Sequence, residues 1–319
     1  MRVIEPITVD DIRAARDRIA STITRTPLVR LNIDAVAEIY LKLENLQPIG
    51  SFKIRGATNA IRLLSPDALS RGVYTASAGN MAQGVAWGAR ASGVACTVIM
   101  PDSAPRTKLD AVARLGAHIM KVPYDEWWKT LADHGRLGMP GTFIHPVADR
   151  AVMAGNGTIG LEIVEDLPDV DAVLVPFGGG GLVTGIATAI RALAPNARVF
   201  GCEVETATPL RAALAAKQPV IVERTPSFVD GIGGRGVLDE MWPLVSTRVD
   251  GALVSSIAET MSAVRLMVER ARVVAEGAGA ASVAPALAGR AGSGKVACVV
   301  SGGNIDLATL ADILAPKSS

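Results

Sequence analysis

The sequence predicts an α/β protein built from mostly parallel sheets that are flanked by helices. One reason is a repeated unit, in which a short apolar strand leads through Gly, Ser or Pro residues into a longer helical stretch; such units begin at Gly72, Ala95, Ala172 and Val199. This alternation requires parallel strands joined by helical crossovers. A second reason is composition: apolar residues make up 49% of the chain and aromatic residues only 4%, which suits a buried parallel sheet of Ala, Val, Leu and Ile.

The chain of 319 residues has room for two domains that share a cleft. No Pro/Ser-rich or charged linker divides it and no fixed-period repeat is present, so we expect the two domains to be interleaved. In open α/β sheets the active site forms at the carboxyl ends of the strands. The small-residue turns that follow the apolar strands should therefore converge on one site.

The composition argues against several classes of protein. A net charge of +1 without any Lys/Arg block argues against a nucleic-acid surface and a polybasic membrane surface. The N-terminus lacks a signal-peptide core, and four central glycines make the uncharged run Ala172 to Ile190 a poor membrane span. Cys96, Cys202 and Cys298 lie far apart in apolar runs, as reduced core thiols of a cytoplasmic protein do. The three histidines show no metal-ligand spacing.

The first motif with chemical content runs from Leu41 to Ala57 and reads LKLENLQPIGSFKIRGA. An apolar strand ends near Leu43, and Ser51 is suited to cap a helix that runs through Ala57 to Leu64. Lys53 then lies in the first helical turn, where the helix macrodipole disfavours a cation. This placement helps to keep the amine neutral, as a Schiff-base lysine requires. A solvated surface lysine explains the same residues equally well.

Three small-residue turns each follow an apolar strand: Ser77-Ala-Gly-Asn80, Phe177-Gly-Gly-Gly-Gly-Leu182 and Ser301-Gly-Gly-Asn304. Free backbone N–H groups in such turns bind carboxylate or phosphate. Four consecutive glycines lose much backbone entropy on ordering, so we expect a close contact at that loop. Val183 and Thr184 exclude a Walker A or GxGxxG loop. Taken alone, the first and third turns would be interpreted as ordinary turns.

Taken together and in this order, the motifs resemble the threonine/serine dehydratase and serine racemase branch of the fold type II pyridoxal-phosphate (PLP) enzymes. The resemblance covers Pro27 to Asn304 and includes SFKIRGA, SAGN, FGGGG, SGGN and the EGAGA segment that starts at Glu276. It implies the tryptophan synthase β-like fold, with two open, twisted, mostly parallel sheets flanked by helices. It also implies a large PLP-binding domain of residues 1–71 and 146–319, and a small inserted domain of residues 72–145.

The resemblance further implies roles for individual residues, with Lys53 as the catalytic residue that carries the cofactor and removes the Cα proton. The other implied cofactor contacts are Phe52 on the ring, Asn80 at the ring hydroxyl, Gly178, Gly179, Gly180, Gly181 and Leu182 at the phosphate, Glu276, and Ser301 at the pyridine nitrogen. The implied substrate-carboxylate contacts are Ser77, Ala78, Gly79, Asn80 and Met81. A neutral serine at the pyridine nitrogen limits charge delocalisation into the ring, which favours prompt loss of a β leaving group.

The chain departs from the family pattern at three places. Racemase members have a second serine where this chain has Ala78, which has no proton to give, so we expect little racemisation. Many relatives have His where this chain has Met81, which indicates either a more apolar pocket for a bulkier substrate or a packing residue. Metal-dependent members use a Glu and, six residues on, an Asp. Glu203 matches the first, but Pro209 occupies the second, which argues against a divalent metal and leaves a monovalent ion open.

We therefore expect a PLP-dependent dehydratase (ammonia-lyase) that converts L-threonine, L-serine or a related 3-hydroxy amino acid into a 2-oxo acid and ammonia. The resemblance implies a homodimer, and the short stretch after SGGN leaves no room for a regulatory domain, as in catabolic members. Two alternatives stay open at this point. One is β-replacement or racemisation at the same residues, and the other is a non-catalytic α/β protein that binds a phosphate ligand.

Overall fold

The computed structural model describes residues 2–315, and within them ten strands form two sheets. The strands are β1 (Leu28–Arg30), β2 (Ala37–Leu43), β3 (Val73–Ala76), β4 (Cys96–Pro101), β5 (His118–Val122), β6 (Thr142–Phe143), β7 (Ala172–Pro176), β8 (Arg198–Val204), β9 (Gly251–Ser255) and β10 (Gly294–Val300). The helices are α1 (Val9–Ile19), α2 (Lys53–Arg62), α3 (Pro66–Ser70), α4 (Asn80–Ala91), α5 (Arg106–Ala113), α6 (Tyr124–Ala132), α7 (Arg150–Asp166), α8 (Gly181–Leu193), α9 (Pro209–Ala216), α10 (Trp242–Ser246), α11 (Ile257–Leu266), α12 (Gly277–Ala280), α13 (Val283–Leu287) and α14 (Leu307–Leu314). A 3₁₀ turn covers Glu44–Leu46, and a π-helical turn covers Met267–Ala271.

The larger sheet has the strand order β1-β2-β10-β7-β8-β9, and the smaller sheet has the order β5-β4-β3-β6. All neighbours are parallel except β1, which pairs with β2 in the antiparallel direction. The central strands are apolar and buried; β7, for example, is buried along its whole length. Strands covered on both faces need such continuous apolar runs. The prediction of two mostly parallel sheets with flanking helices is confirmed.

The strands of the smaller sheet all lie between Val73 and Phe143, and those of the larger sheet lie outside that range. This distribution agrees with the predicted insertion of residues 72–145 between 1–71 and 146–319. The division into two separate domains stays a prediction, and Met1 and residues 316–319 lie outside the described part of the chain. Among the described residues, no helix combines the length and the apolar character that crossing a bilayer requires.

A buried cluster of charges anchors helix α2. Lys42 and Arg55 face Glu44 and Glu162, with Lys42 Nζ 2.5 Å from Glu162 Oε2, Arg55 Nη1 2.6 Å from Glu162 Oε1 and Arg55 Nε 2.8 Å from Glu44 Oε2. Burial alone would raise the pKa of Glu44, but Arg55, Thr26 and Lys42 together outweigh burial and hold the pKa below its usual value. Two cations and two anions compensate one another here, which a buried charge requires. The cluster therefore joins α2 to β2 and to α7.

Candidate active site

Helix α2 begins at Lys53, which confirms that this lysine lies in the first helical turn. The predicted cap and end of the helix are wrong in detail: Phe52 rather than Ser51 is the N-cap residue, and the helix ends at Arg62. Ser51 Oγ accepts only a long hydrogen bond, 3.4 Å, from the Lys53 N–H. Tertiary pairing explains the difference, because Ser51 forms an antiparallel bridge with Gly302 and is thereby held in an extended conformation.

The Lys53 amine lies in a partly buried and weakly polar environment. Its Nζ donates a hydrogen bond to the Pro146 carbonyl at 2.9 Å and lies 5.2 Å from the centroid of the Phe52 ring. Burial lowers the pKa of Lys53 to about 8, against an opposing effect of the Glu276 carboxylate. A lysine in this setting becomes a neutral nucleophile and base near physiological pH far more readily than a solvated one. These contacts disfavour the surface-lysine alternative.

The turn at residues 301–304 lies directly against the start of α2. The Phe52 N–H donates to the Ser301 carbonyl at 3.0 Å, and the Gly303 N–H donates to the Gly50 carbonyl at 2.9 Å. Gly50 has φ +68°, and a Cβ there would lie 2.7 Å from Asn304 Oδ1, so only glycine fits. The turn therefore brings the buried Ser301 next to the residues that precede Lys53.

Glu276 connects the turns that follow β3 and β10. Asn80 Nδ2 donates to Glu276 Oε1 at 2.8 Å, and Asn304 Nδ2 donates to Asn80 Oδ1 at 2.8 Å. The Glu276 N–H donates to the Gly302 carbonyl at 3.0 Å. Burial raises the pKa of Glu276 to about 7, with a further contribution from the negative charge of Asp230. The network sets the orientation of the Asn80 amide and brings SAGN, EGAGA and SGGN to one place.

The tetraglycine loop lies between β7 and α8, as predicted, and close contacts explain its glycines. A Cβ on Gly179 would lie 2.6 Å from Val147 Cγ2, and one on Gly181 would lie 2.8 Å from the Val147 carbonyl oxygen. Gly180 has φ +97°, and its Cβ would lie 2.7 Å from Val245 Cγ2. The expectation of a close contact is thus confirmed.

Gly178 is packed less tightly than the other three glycines. The nearest atom to an added Cβ there is 3.8 Å away, an ordinary van der Waals distance. Within the described residues, no protein group accepts a hydrogen bond from the N–H groups of Gly178 to Leu182. Unpaired N–H groups at the start of a long helix suit an anion.

The turn after β3 presents backbone groups rather than side chains. Ser77 Oγ accepts a hydrogen bond from the Gly79 N–H at 3.2 Å, and no atom lies within 4 Å of a Cβ placed on Gly79. The Met81 side chain is 2% exposed and packs in the apolar cluster with Ile61 and Val85. The structure therefore favours the packing interpretation of Met81. The first N–H groups of α4 have no partner within the helix and no capping side chain.

The Glu203 carboxylate binds the N-terminus of helix α9. Its carboxylate is 1% exposed and accepts hydrogen bonds from the Leu210 N–H at 2.7 Å and from the Arg211 N–H at 3.0 Å. Pro209 is the first residue of α9 and is well tolerated there because it lacks an N–H. Each carboxylate oxygen thus accepts one hydrogen bond from the start of α9.

One group near the site was missed from the sequence. His134, His145 and Glu240 lie together, with their nitrogen and oxygen atoms within 4.8 Å of one another. They are far apart in the chain and belong to no motif, so spacing offered no signal. The cluster lies beside Pro146 and Val147, which contact Lys53 and the tetraglycine loop.

The described residues fit PLP. The cofactor needs a lysine amine of lowered pKa for its carbonyl and a set of N–H donors for its phosphate, and Lys53 and residues 178–182 have these properties. The buried Ser301 and the oriented Asn80 amide supply polar groups for the ring.

Comparisons with known proteins agree with this fit. A family profile described as "Pyridoxal-phosphate dependent enzyme" matches residues 19–302. The chain is 42% identical to the L-threonine ammonia-lyase of Thermotoga maritima, over 94% of this chain and 76% of that protein. It is 38% identical to the catabolic L-threonine dehydratase TdcB of Escherichia coli, over 97% and 96% of the two chains. Among solved structures, maize serine racemase has a TM-score of 0.88 at 32% identity over 97% of each chain. The serine racemase of Dictyostelium discoideum has a TM-score of 0.83 at 32% identity, over 94% and 99% of the two chains.

Proposed function

The chain belongs to the family of pyridoxal-phosphate dependent enzymes, and we propose that it is an ammonia-lyase that dehydrates L-threonine and, more weakly, L-serine. The observation that carries the proposal is the partly buried Lys53 amine, with its pKa lowered to about 8. Pro146 and Val147 connect this amine to a loop whose N–H groups have no acceptor among the described residues. Curated relatives that match almost the whole chain are named threonine ammonia-lyases, which supports threonine as the substrate.

Residues of this chain have distinct tasks in the proposed reaction. The N–H groups of Gly178 to Leu182 hold the cofactor phosphate, Asn80 and Phe52 contact its ring, and Ser301 supplies a neutral hydroxyl to the ring nitrogen. When bound, the cofactor acts as an electron sink for negative charge that develops at the substrate Cα. Glu276 and Asn304 orient the Asn80 amide through hydrogen bonds of 2.8 Å.

Lys53 is the base that removes the Cα proton, and its lowered pKa leaves a useful fraction of neutral amine at physiological pH. The Ser77 N–H donates to the Ile99 carbonyl and the Gly79 N–H donates to Ser77 Oγ, so the other amides of this turn, those of Ala78, Asn80 and Met81, bind the substrate carboxylate. This binding fixes which Cα bond faces Lys53. Loss of the Cα proton and the Cβ hydroxyl removes water, and hydrolysis of the resulting enamine gives the 2-oxo acid and ammonia.

The direct test is 2-oxo acid release from L-threonine, L-serine and bulkier 3-hydroxy amino acids, measured on protein whose cofactor content is known from its visible absorbance. D-Threonine is the matched control, because its Cα–H bond points in the opposite direction. We expect release from L-threonine above L-serine and none from D-threonine. Bound cofactor without release from either L-amino acid would reject the proposal and favour β-replacement substrates.

Ala78 determines the expected balance between elimination and racemisation. It lies between Ser77 and Gly79 in the turn that meets the substrate, and it offers no proton to the face of Cα opposite Lys53. We expect no measurable D-serine from L-serine with the unmodified enzyme, and racemisation at least about tenfold above background in Ala78→Ser, well within the range that a placed acid contributes. Chiral chromatography of the serine left after partial reaction measures this; an unchanged ratio would mean that position 78 does not face Cα.

Gly179→Ala is expected to weaken cofactor binding, because the added Cβ would lie 2.6 Å from Val147 and push the loop aside. Overpacking of this kind costs about 1–3 kcal/mol, which corresponds to a rise of roughly 5- to 150-fold in the cofactor dissociation constant. Gly251→Ala is the control, since its Cβ would meet Phe200 at an ordinary 3.5 Å. Titration of the apoprotein with PLP measures both; equal affinities would contradict a tight contact between the loop and Val147.

We further propose that the enzyme is a cytoplasmic homodimer with residues 72–145 as a separate small domain. The free, buried Cys202 and Cys298 support a reducing compartment. The family resemblance supports the dimer, and light scattering of the holoenzyme, with twice the mass of the 319-residue chain as the expected result, tests it.

A further inference from the structure

His145 is locked in one neutral form by its surroundings. The ring is 4% exposed, and its Nδ1 accepts hydrogen bonds from the Val147 N–H at 3.0 Å and the Ala148 N–H at 2.7 Å. Two donors at Nδ1 place the ring proton on Nε2. Burial lowers the pKa of His145 to about 3, and the electrostatic effects of His134, Lys53 and Arg2 act in the same direction. The ring is therefore uncharged at neutral pH.

The turn that the ring organises contacts both parts of the cofactor site. Pro146 has no N–H, so the next two N–H groups, those of residues 147 and 148, both point at the imidazole. The Pro146 carbonyl accepts the hydrogen bond from Lys53 Nζ at 2.9 Å. The Val147 side chain and carbonyl oxygen fill the spaces beside Gly179 and Gly181. One imidazole thus orders a segment that touches the lysine and the glycine loop.

A second contact supports the ring from its other face. His134 stacks on His145 with 4.3 Å between ring centroids, and His134 Nε2 lies 2.6 Å from Glu240 Oε1. Glu240 precedes α10, whose Val245 packs beside Gly180. The cluster resembles a metal site in composition only, because the Nδ1 lone pair of His145 is already taken by two amide donors.

We propose that His145 is a positioning residue, whose neutral ring orders residues 145–148 and thereby sets the Lys53 amine and the tetraglycine loop for PLP. The inference rests on the proposed function only in that Lys53 and residues 178–182 hold the cofactor. Turnover is not needed to test it, since cofactor affinity reports the positioning directly.

The test compares His145→Asn with His145→Leu. The amide oxygen of Asn accepts from backbone N–H groups two and three residues on, as in an Asx turn, whereas Leu accepts nothing. We expect the PLP dissociation constant to rise at least about tenfold in His145→Leu, and to stay within roughly threefold of the unmodified protein in His145→Asn; a tenfold change equals about 1.4 kcal/mol.

The pH dependence of apoprotein stability separates positioning from a purely structural role. The pKa of His145 is about 3 in the folded protein and near 6.5 in the unfolded chain. Between these two pH values the unfolded chain binds a proton that the folded protein does not bind. His145 therefore makes the free energy of unfolding rise with pH in this window. Both variants lose this slope equally because neither carries an imidazole. Only His145→Leu should lose cofactor affinity. If both variants lose PLP affinity in proportion to their loss of stability, the proposal is overturned.

A second variant keeps the inference testable if His145→Leu does not fold. Val147→Ala leaves the ring in place and removes the support beside Gly179, so PLP affinity should fall several-fold. Val98→Ala, at a buried valine of β4 in the smaller sheet, is the control and should leave affinity unchanged. Unchanged affinity in Val147→Ala would overturn the proposal, whereas a holoenzyme that binds PLP but releases no 2-oxo acid would reject only the proposed function.

Discussion

Lys53→Ala is expected to lower 2-oxo acid release from L-threonine by about 10³-fold, within the range that loss of a positioned proton-transfer group produces. The expectation follows from the surroundings of the Lys53 amine. The amine is partly buried and donates a hydrogen bond to the Pro146 carbonyl, and burial lowers its pKa to about 8. The same substitution should abolish the visible absorbance of lysine-bound cofactor. Steady-state assays and absorbance spectra of the purified protein measure the two effects independently.

Lys121→Ala is the matched control, because Lys121 is an exposed lysine on β5. It should leave both readouts unchanged. Retained turnover in Lys53→Ala would remove this lysine from the reaction. Loss of turnover with an unchanged spectrum would mean that Lys53 acts as a base without carrying the cofactor.

Glu162→Gln is expected to destabilise the protein by about 3–5 kcal/mol, the usual result of removing one partner from a buried ion pair. Glu162 contacts both Lys42 and Arg55 in the buried cluster, at 2.5 and 2.6 Å. Without its charge, Glu44 alone faces two buried cations. Because Arg55 lies two residues after Lys53 in α2, cofactor affinity should fall as well.

Glu165→Gln on the same helix is the control for this prediction. Glu165 is half exposed and pairs with Arg16 and Arg25 at the surface, where such pairs contribute about 0–1 kcal/mol. Urea denaturation of each variant, with and without cofactor, measures the difference. Equal losses in the two variants would show that the cluster does not anchor α2.

Features encoded by local residues were predictable from the sequence. The end of β2 at Leu43, the turn from Ser77 to Asn80 after β3, and the glycine loop before α8 all follow from apolar runs that meet small residues. Such strand-to-helix boundaries depend on neighbouring residues, so their pattern is visible in one chain. The convergence of these turns followed from the rule for parallel sheets.

Features that depend on contacts between distant residues were not predictable. The N-cap moved from Ser51 to Phe52 because Ser51 pairs with Gly302, a residue from the other end of the chain. The pairing of Glu162 with Lys42 and Arg55 joins a strand and two helices without any periodic signal. Polar contacts of this kind are specified by tertiary packing rather than by local propensity.

Chemical trapping tests most directly whether Lys53 carries the cofactor. Holoenzyme is treated with borohydride, which makes the bond between cofactor and lysine permanent, and is then digested and mapped by mass spectrometry. We predict that the added mass lies on the peptide that contains Lys53 and on no other lysine. Cofactor mass on a different lysine, such as Lys42 or Lys108, or a bound cofactor that leaves every peptide unmodified, would contradict the claim.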